Sequence, residues 1–210
     1  IEPLPATSAS VGLDLGATTA IVTSHGEKIH LPKVSTKLAG KLKRAQRELA
    51  RRQKGSANRT KTKLKIARIH AHIADKRRDA LHKVTTKLVH ENQVIVIEDL
   101  AVKAMTATAK GTLTSPGKRV KQKAGLNRAL LNNSLAELRT LLEYKAQWYG
   151  RELIVIGRFT PSTRMCGNCT QLTGPKGLKD LGIRTWTCSN CNTTHDRDTN
   201  AAQNILAAGH

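Results

Sequence analysis

The chain has 210 residues and carries 36 lysines and arginines against 15 acidic residues, a formal net charge of +21. Because such an excess of positive charge repels itself in a compact fold, it indicates a polyanionic partner. A basic protein with no specific partner is the minor alternative. No run approaches 18 consecutive apolar residues, so the sequence indicates no transmembrane helix and no membrane partner.

The first ten residues (IEPLPATSAS) lack the basic region and the apolar core of a secretory signal. This absence favours an intracellular location, and we expect a cytoplasmic protein. The sequence begins with isoleucine rather than methionine, so we expect the chain to be processed or to be a piece of a longer protein.

Three short strands are predicted at the start of the chain, and an aspartate lies in the first of them. The patterning indicates a β-meander over Val11–Leu15, Thr18–Ser24 and Lys28–Leu31. Asp14 lies between two glycines, and small residues there let a phosphate or a metal approach closely. Alone, an aspartate at a strand end is more often a turn or cap residue.

A strongly basic segment follows. Residues 33–87 contain 19 lysines and arginines and three acids, a net charge of +16. Apolar residues recur there at helical spacing, which predicts two amphipathic helices separated by a break at Gly55–Asn58. A solvated charged face is the plainer interpretation, but charge of a single sign favours contact with nucleic-acid phosphates. We therefore expect a basic helical insertion over 33–92.

The strand Val94–Leu100 (VIVIEDL) is the one around which the sequence is organised. Its β-branched run is typical of a strand buried on both faces, and Glu98 stands where the strand leaves the core. Residues 101–125 predict a mobile loop, which could act as a lid or be a disordered linker. A helix over Leu126–Tyr149 and a strand over Glu152–Ile156 complete an α/β pattern.

Four cysteines form two CxxC pairs, Cys166 with Cys169 and Cys188 with Cys191, with 18 residues between the pairs. Two such knuckles supply the four thiolates of a closed, structural zinc site, and two disulfides are the less favoured alternative in an intracellular protein. We expect a zinc ribbon over 164–194. Its outer loop and return strand are predicted over Thr173–Gly182 and Arg184–Thr187.

The closing segment, 195–210, contains a predicted helix over Asp198–Ala208. An aspartate at the start of a helix is often simply its cap. With Asp14 and Glu98 already at strand ends, the three acids together favour a metal site instead.

The order of elements predicts a ribonuclease H-like α/β fold, a mixed sheet with flanking helices in which the first and fourth strands are adjacent. Carboxylates from Asp14, Glu98 and Asp198 are hard oxygen ligands suited to Mg²⁺ or Mn²⁺. Two such ions can promote in-line hydrolysis of a phosphodiester. The sequence therefore predicts a metal-dependent nuclease.

Several motifs resemble the C-terminal part of TnpB proteins, the OrfB-type transposon-encoded relatives of type V CRISPR effectors. They are VGLDLG, VIVIEDL, LLEYKAQWYGRELIVI, PSTRMCGNC, TWTCSNC and HDRDTNAAQNIL. The resemblance covers nearly the whole chain. It implies a RuvC-like nuclease with an inserted zinc ribbon, guided by a transposon-end RNA to cut DNA in a prokaryotic cell, near its nucleoid.

The resemblance also implies roles for individual residues. The catalytic, Mg²⁺-binding carboxylates would be Asp14, Glu98 and Asp198, with Asp196 a neighbour and Arg197 placed to contact phosphate or orient the site. Thr170 departs from the pattern, because a glycine often follows the second cysteine of that knuckle. The RuvC-like domain would span 1–163, the ribbon 164–194, and the last nuclease motif and closing helix 195–210.

Family members carry a large N-terminal guide- and target-recognition portion, whereas this chain starts ten residues before VGLDLG, so we expect that portion to be missing. A nucleic-acid-binding remnant without nuclease activity and a transposase with strand-transfer activity remain alternatives. Aromatic residues make up only 2% of the chain, with Trp148, Tyr149 and Trp186 as candidates for base stacking. Backbone contacts to DNA and guide RNA should therefore dominate binding.

Overall fold

The computed structural model describes residues 2–177, 180 and 182–210, which form a mixed α/β structure. The strands are β1 Ser10–Leu15, β2 Ile21–Thr23, β3 Lys28–Ile29, β4 Val94–Glu98, β5 Glu152–Ile156, β6 Thr185–Thr187 and β7 Thr194–Asp196. The helices are α1 Thr36–Arg51, α2 Ala57–Glu91, α3 Val102–Met105, α4 Val120–Asn132, α5 Leu135–Tyr149 and α6 Arg197–Ala208. None of these helices is both long and apolar enough to cross a membrane.

One five-stranded sheet has the order β3-β2-β1-β4-β5. The first three strands pair antiparallel, whereas β4 runs parallel to β1 and β5 runs parallel to β4. The predicted adjacency of the first and fourth strands is therefore confirmed, with Leu13 opposite Ile97. Because β1, β4 and β5 are parallel, their carboxyl ends meet at one edge of the sheet.

The β-branched run of β4 is buried as its composition indicates. Ile95, Val96 and Ile97 are each fully buried, and Val96 packs in a core cluster with Ile156 and Ile205. This cluster joins β4, β5 and α6, so the closing helix lies against the centre of the sheet. Burial of one such side chain contributes about 1.5–3 kcal/mol.

Gly12 has a different role from the one the sequence suggested. A Cβ added there would lie 2.2 Å from the Ala202 carbonyl oxygen and 2.7 Å from the Leu206 nitrogen. The glycine thus allows the backbone of α6 to approach β1, rather than leaving room for phosphate or metal. This close approach brings the start of α6 to the end of β1.

The predicted single helix over Leu126–Tyr149 is wrong, because the structure has two helices that meet at Asn133 and Ser134. Ser134 has a left-handed backbone with φ of 46°. The Asn133 side chain donates hydrogen bonds to the carbonyls of Gly16, at 2.7 Å, and Ala17, at 3.1 Å. Leucines continue at helical spacing across the break, so periodicity alone could not reveal it.

The predicted loop over 101–125 is wrong at both of its ends, where α3 and the first turns of α4 are helical. Lys123 donates a 2.6 Å hydrogen bond from Nζ to the Met105 carbonyl. Asn127 donates to the carbonyls of Thr106 and Ala107. These bonds join α4 to the end of α3, a long-range arrangement that the polar composition of the segment did not indicate.

The chain divides into two units, residues 1–30 with 84–210, and residues 31–83. The second unit contains α1 and most of α2, joined near the predicted break. Arg59 donates to the carbonyls of Leu49, at 2.6 Å, and Arg52, at 3.0 Å, which satisfies the carboxyl end of α1. The unit carries 18 lysines and arginines and three acids, a net charge of +15.

The β6 and β7 strands form a separate antiparallel pair, with Trp186 opposite His195. The predicted return strand Arg184–Thr187 is confirmed, shortened by one residue at its start. Part of the predicted outer loop, residues 178, 179 and 181, lies outside the described residues.

Candidate functional site

The carboxyl ends of β1 and β4 carry two of the three predicted acids. Because Leu13 pairs with Ile97, the residues that follow them, Asp14 and Glu98, lie side by side at the same sheet edge. Asp198 lies in the first turn of α6, the helix that packs on β1. The structure thus brings Asp14 together with both other acids, close enough for each to act on its charge.

The environment of Asp14 disfavours its ionised form. Burial, followed by the negative charges of Asp198 and Glu98, raises the pKa of Asp14 from its ordinary value of 3.8 to about 7. Arg197 and Arg184 oppose this rise. Burial also raises the pKa of Glu98. Without a cation, the acids therefore repel one another in a poorly solvated place.

A cavity of about 330 Å³ opens over Asp14 and Asp198. The Gly16–Thr19 loop forms one side of it, and Arg184 and Arg197 also line it. Glu98 lines a neighbouring cavity of about 820 Å³. Among the described residues, the three carboxylates do not form a group whose ligand atoms all lie within 4.8 Å of one another.

The two aspartates of the HDRD motif have separate roles. Asp196 caps α6, because its Oδ1 accepts hydrogen bonds from the Thr199 backbone N–H and hydroxyl, both at 3.0 Å. Its Oδ2 pairs with Lys28 at 2.8 Å. The cap that the sequence allowed for Asp198 is therefore supplied by Asp196. The Asp198 carboxylate faces the cavity instead.

Two arginines share the cavity with the acids. Arg184 Nη1 lies 3.4 Å from both carboxylate oxygens of Asp198. Arg197 Nη1 donates to the carbonyls of Asp180, at 2.8 Å, and Ile183, at 3.5 Å. Sequence reasoning singled out Arg197 but missed Arg184. The only signal for Arg184 was its position as the first residue of the predicted return strand.

Asn133 is a second residue that sequence reasoning missed. Its two hydrogen bonds hold the carbonyls of Gly16 and Ala17, in the loop that follows Asp14 and lines the cavity. An asparagine within a leucine-rich helical pattern carries no signal of such a contact. The contact spans 116 or 117 residues, so only the tertiary structure reveals it.

The four cysteines lie together, with their sulfur atoms all within 4.8 Å of one another. The Cys166–Cys191 and Cys169–Cys188 sulfur pairs are each 3.6 Å apart, and all four cysteines are free. Tetrahedral thiolates around zinc, at about 2.3 Å from the metal, lie about 3.8 Å apart. The cluster can therefore hold a structural zinc ion.

Polar groups around the cysteines favour thiolates at one side of the cluster. The Thr193 hydroxyl and other hydrogen-bonding groups lower the pKa of Cys191 to about 5, and a hydrogen bond from Thr173 lowers the pKa of Cys188. Burial instead raises the pKa of Cys166 to about 11. Cys166 Sγ lies 3.1 Å from His195 Nε2. Negative charge in such a place is stabilised by a bound cation.

Comparison with known protein families matches most of the chain to two models. Residues 1–109 match the OrfB_IS605 model, described as "Probable transposase". Residues 136–205 match the model of the Cas12f1-like TNB domain. The first match covers β1 to β4 with Asp14 and Glu98. The second covers the cysteine cluster and Asp198.

Two bacterial relatives align along the chain. A protein of Streptomyces pristinaespiralis named "Putative RNA-guided DNA endonuclease" is 47% identical over 209 residues, covering 100% of this chain and 47% of that protein. An Escherichia coli protein named "Putative RNA-guided DNA endonuclease InsQ" is 39% identical over 208 residues, covering 99% of this chain and 51% of that protein. The chain spans about half the length of these relatives.

A solved structure has a similar fold. The Cas12f1 chain in a cryo-EM structure of the Cas12f1-sgRNA-target DNA complex superposes with a TM-score of 0.61 at 18% sequence identity. The match covers 98% of this chain and 51% of that chain. At this identity, the likeness extends to the fold alone.

Proposed function

The chain belongs to the TnpB family, and from this premise we propose that it is the nuclease portion of an RNA-guided DNA endonuclease. The proposed reaction is metal-dependent hydrolysis of a DNA phosphodiester at Asp14, Glu98 and Asp198. The observation that carries the proposal is the gathering of Asp14 with two other acids, in a chain with 15 acids and a charge of +21. Bringing carboxylates together is electrostatically unfavourable, and among the described residues no stabilising role of these acids in the fold offsets that repulsion.

The strand arrangement supports a ribonuclease H-like, RuvC-type assignment for the sheet. Three antiparallel strands continue into two parallel ones, and two of the acids, Asp14 and Glu98, stand at the carboxyl ends of the neighbouring strands β1 and β4. We propose the RuvC-like domain over 1–163, with the basic insertion at 33–92, the ribbon over 164–194, and the last nuclease motif over 195–210.

The donor set at the sheet edge fits a hard divalent cation. Carboxylate oxygens from Asp14, Glu98 and Asp198 would hold Mg²⁺ or Mn²⁺, and a cation offsets the repulsion that raises the pKa of Asp14. When bound, such ions supply activation of water and stabilisation of the leaving oxygen.

The arginines of the cavity would bind the phosphate. Arg197 is held by the Asp180 and Ile183 carbonyls, which fixes its guanidinium beside Asp14 and Asp198. Arg184 lies against Asp198, and a phosphate entering the cavity offers it a second anionic partner. Their role would be to orient the scissile linkage against the acids.

The ribbon would position one of these arginines. Arg184 directly precedes β6, and its carbonyl accepts a 2.7 Å hydrogen bond from the Arg197 N–H. A zinc ion on the four cysteines would fix the turn that joins β6 to β7 against the turn at 166–169. We therefore propose that the structural zinc supports the nuclease site through Arg184, without taking part in the reaction.

The unit of residues 31–83 would bind guide RNA or DNA through the phosphate backbone. A cleft of about 720 Å³ between α1 and α2 is lined by Lys41, Arg44, Lys61, Lys65 and Arg68. Its acid, Glu48, is already paired with Arg52 and Lys65. We expect binding to weaken steeply as salt rises, because bound counterions are released from the nucleic acid. Equal affinity at low and high salt would contradict this prediction.

The test is cleavage of end-labelled single-stranded DNA with Mg²⁺ by the parent protein and by Asp14→Asn. We expect cutting by the parent and none by the variant, with DNA binding retained by both. DNA that is bound by the parent but never cut would instead support a binding remnant. Labelled donor strands joined to a target would support a transposase. Supplying the N-terminal half of a relative tests whether that portion is needed.

A further inference from the structure

Glu98 lines a large cavity whose lining does not include Asp14. It measures about 820 Å³, within the range of about 300–1,000 Å³ that holds small molecules. Glu98 and Asp99 line it where β4 ends. Its walls are mainly aliphatic, formed by Leu15, Ile97, Leu100, Val102, Ala104 and Leu135.

The charged residues at this cavity balance one another. Asp99 accepts from Arg139 at 2.8 Å and also pairs with Arg158, while Arg139 donates from Nε to Glu143 at 2.8 Å. Lys103 and Glu98 add one charge of each sign. The cavity therefore lacks the excess positive charge of a phosphate site. It suits a flat, uncharged group with polar edges.

A nucleobase is such a group, and the position of the cavity favours it. A strand whose phosphodiester reaches Asp14 and Glu98 must place an adjoining base within one nucleotide of Glu98. The aliphatic cavity begins at Glu98, because Glu98 is part of its lining. With aromatics at 2% of the chain, aliphatic packing would replace the stacking platforms that other single-strand binders use.

We propose that this cavity binds a nucleobase adjoining the cut linkage, taken out of the base stack of a single-stranded polynucleotide. The inference rests on the proposed nuclease function, since it assigns the occupant of a space next to the same carboxylates. Aliphatic walls can contact the faces of any base, so the cavity would bind a base without preference for the DNA sequence. Removal of a base from its stack is least costly for a single strand.

The test compares oligodeoxythymidine with an abasic oligomer of the same length, which carries the same phosphates without bases. Binding is measured by fluorescence anisotropy in the Asp14→Asn background, so the result does not depend on cleavage. Ala136→Phe fills the cavity from the exposed start of α5. Gln147→Phe adds the same ring at an exposed position of α5 that does not line the cavity.

We expect Ala136→Phe to weaken oligodeoxythymidine binding about tenfold and to leave the abasic oligomer unaffected. Gln147→Phe should change neither. Ala104→Phe, from the opposite α3 wall, should reproduce the effect if the first variant unfolds, which thermal melting would reveal. Equal losses for both oligomers, or no loss for either, would overturn the proposal.

One more variant, Phe159→Ala, tests whether the base binds outside the cavity. Phe159 follows Arg158 in the chain and is 92% exposed, so it offers a ring to solvent. We expect Phe159→Ala to retain the difference between the two oligomers. If Phe159→Ala removes that difference and Ala136→Phe does not, the base stacks on the surface and the cavity proposal is wrong. Failure of the parent protein, with Asp14 intact, to cut DNA that it binds would count against the proposed function instead.

Discussion

The cysteine cluster and the carboxylate cluster gather their side chains in different ways. The four cysteines lie within a stretch of 26 residues, in the turn at 166–169 and in the turn that joins β6 to β7. The three acids come from positions 14, 98 and 198, so nearly the whole chain separates the first from the last. One site depends on two local turns, whereas the other requires β1, β4 and α6 to be correctly packed.

The two sites also differ in how their surroundings shift the pKa of their ionisable side chains when no metal is bound. At the cysteine cluster, hydrogen bonds from neighbouring groups lower the pKa of Cys188 and Cys191, although burial raises the pKa of Cys166 to about 11. At the carboxylates, burial raises the pKa of Asp14 to about 7. Two of the four thiols are therefore already favoured as thiolates, whereas the ionised form of Asp14 is disfavoured by burial and by its neighbouring acids.

Zinc removal should have the largest effect, because structural zinc contributes roughly 10–16 kcal/mol in small zinc-binding folds. We expect Cys191→Ser, or treatment with a chelator, to abolish amide protection across 164–177 and 182–196 while β1 and β4 keep theirs. Hydrogen exchange followed by mass spectrometry measures both regions at once. Ser189→Ala, within the same knuckle, is the matched control. Unchanged protection in the cysteine variant would show that the ribbon folds without metal.

The next largest effect separates the two aspartates of the HDRD motif. Asp198→Asn should lower DNA cleavage by about 10³-fold, equivalent to about 4 kcal/mol, because the variant lacks a carboxylate that we propose as a metal ligand. Asp196→Asn should retain activity within a few fold, since asparagine also caps a helix. Rates of Mg²⁺-dependent cleavage measure both. Equal loss in the two variants would contradict the separate roles assigned to them.

The third prediction concerns stability and pH at the carboxylates. The pKa of Asp14 is raised in the folded, Mg²⁺-free protein, so its folded form binds a proton that the unfolded chain releases. Its contribution to stability is present below pH 4 and is lost as pH rises to about 7. Asp14→Asn should therefore be more stable than the parent by on the order of 4 kcal/mol at pH 8 and similar to it near pH 4.

Thermal or urea unfolding at several pH values, without added Mg²⁺, tests this prediction. The gap between parent and variant is the quantity to follow, because other groups, such as the arginine-paired Asp99, titrate equally in both proteins. Added Mg²⁺ should stabilise the parent more than the variant. A gap that does not change with pH would mean that Asp14 is not buried among acids.

The smallest effect is expected at Asn133, which binds the loop after Asp14. Asn133→Ala removes two hydrogen bonds to the Gly16 and Ala17 carbonyls, worth about 1 kcal/mol each. We expect kcat to fall about tenfold with little change in KM, because the loop is displaced while DNA contacts elsewhere remain. Asn58→Ala, in the 31–83 unit, is the control. A rise in KM at constant kcat would point to substrate binding instead.

The pattern of residues alone determined much of this protein. The alternation and β-branching of VGLDLG and VIVIEDL predicted β1 and β4, and the CxxC spacing predicted the cysteine cluster, because both depend on contacts close in the chain. The motifs were specific enough to indicate the TnpB family, which the family models confirm. The metal-binding roles of Asp14, Glu98 and Asp198 stay predictions.

Only the tertiary structure decided how distant segments meet. The helix predicted over Leu126–Tyr149 is interrupted at Asn133, and Asp196 rather than Asp198 caps α6. Gly12 lies against the backbone of α6, and Arg184 lies against Asp198. Each of these depends on a partner far away in the chain or on the path of a neighbouring backbone. Local periodicity carries no information about such partners, because helix and strand patterns depend on which face is buried and not on what covers it.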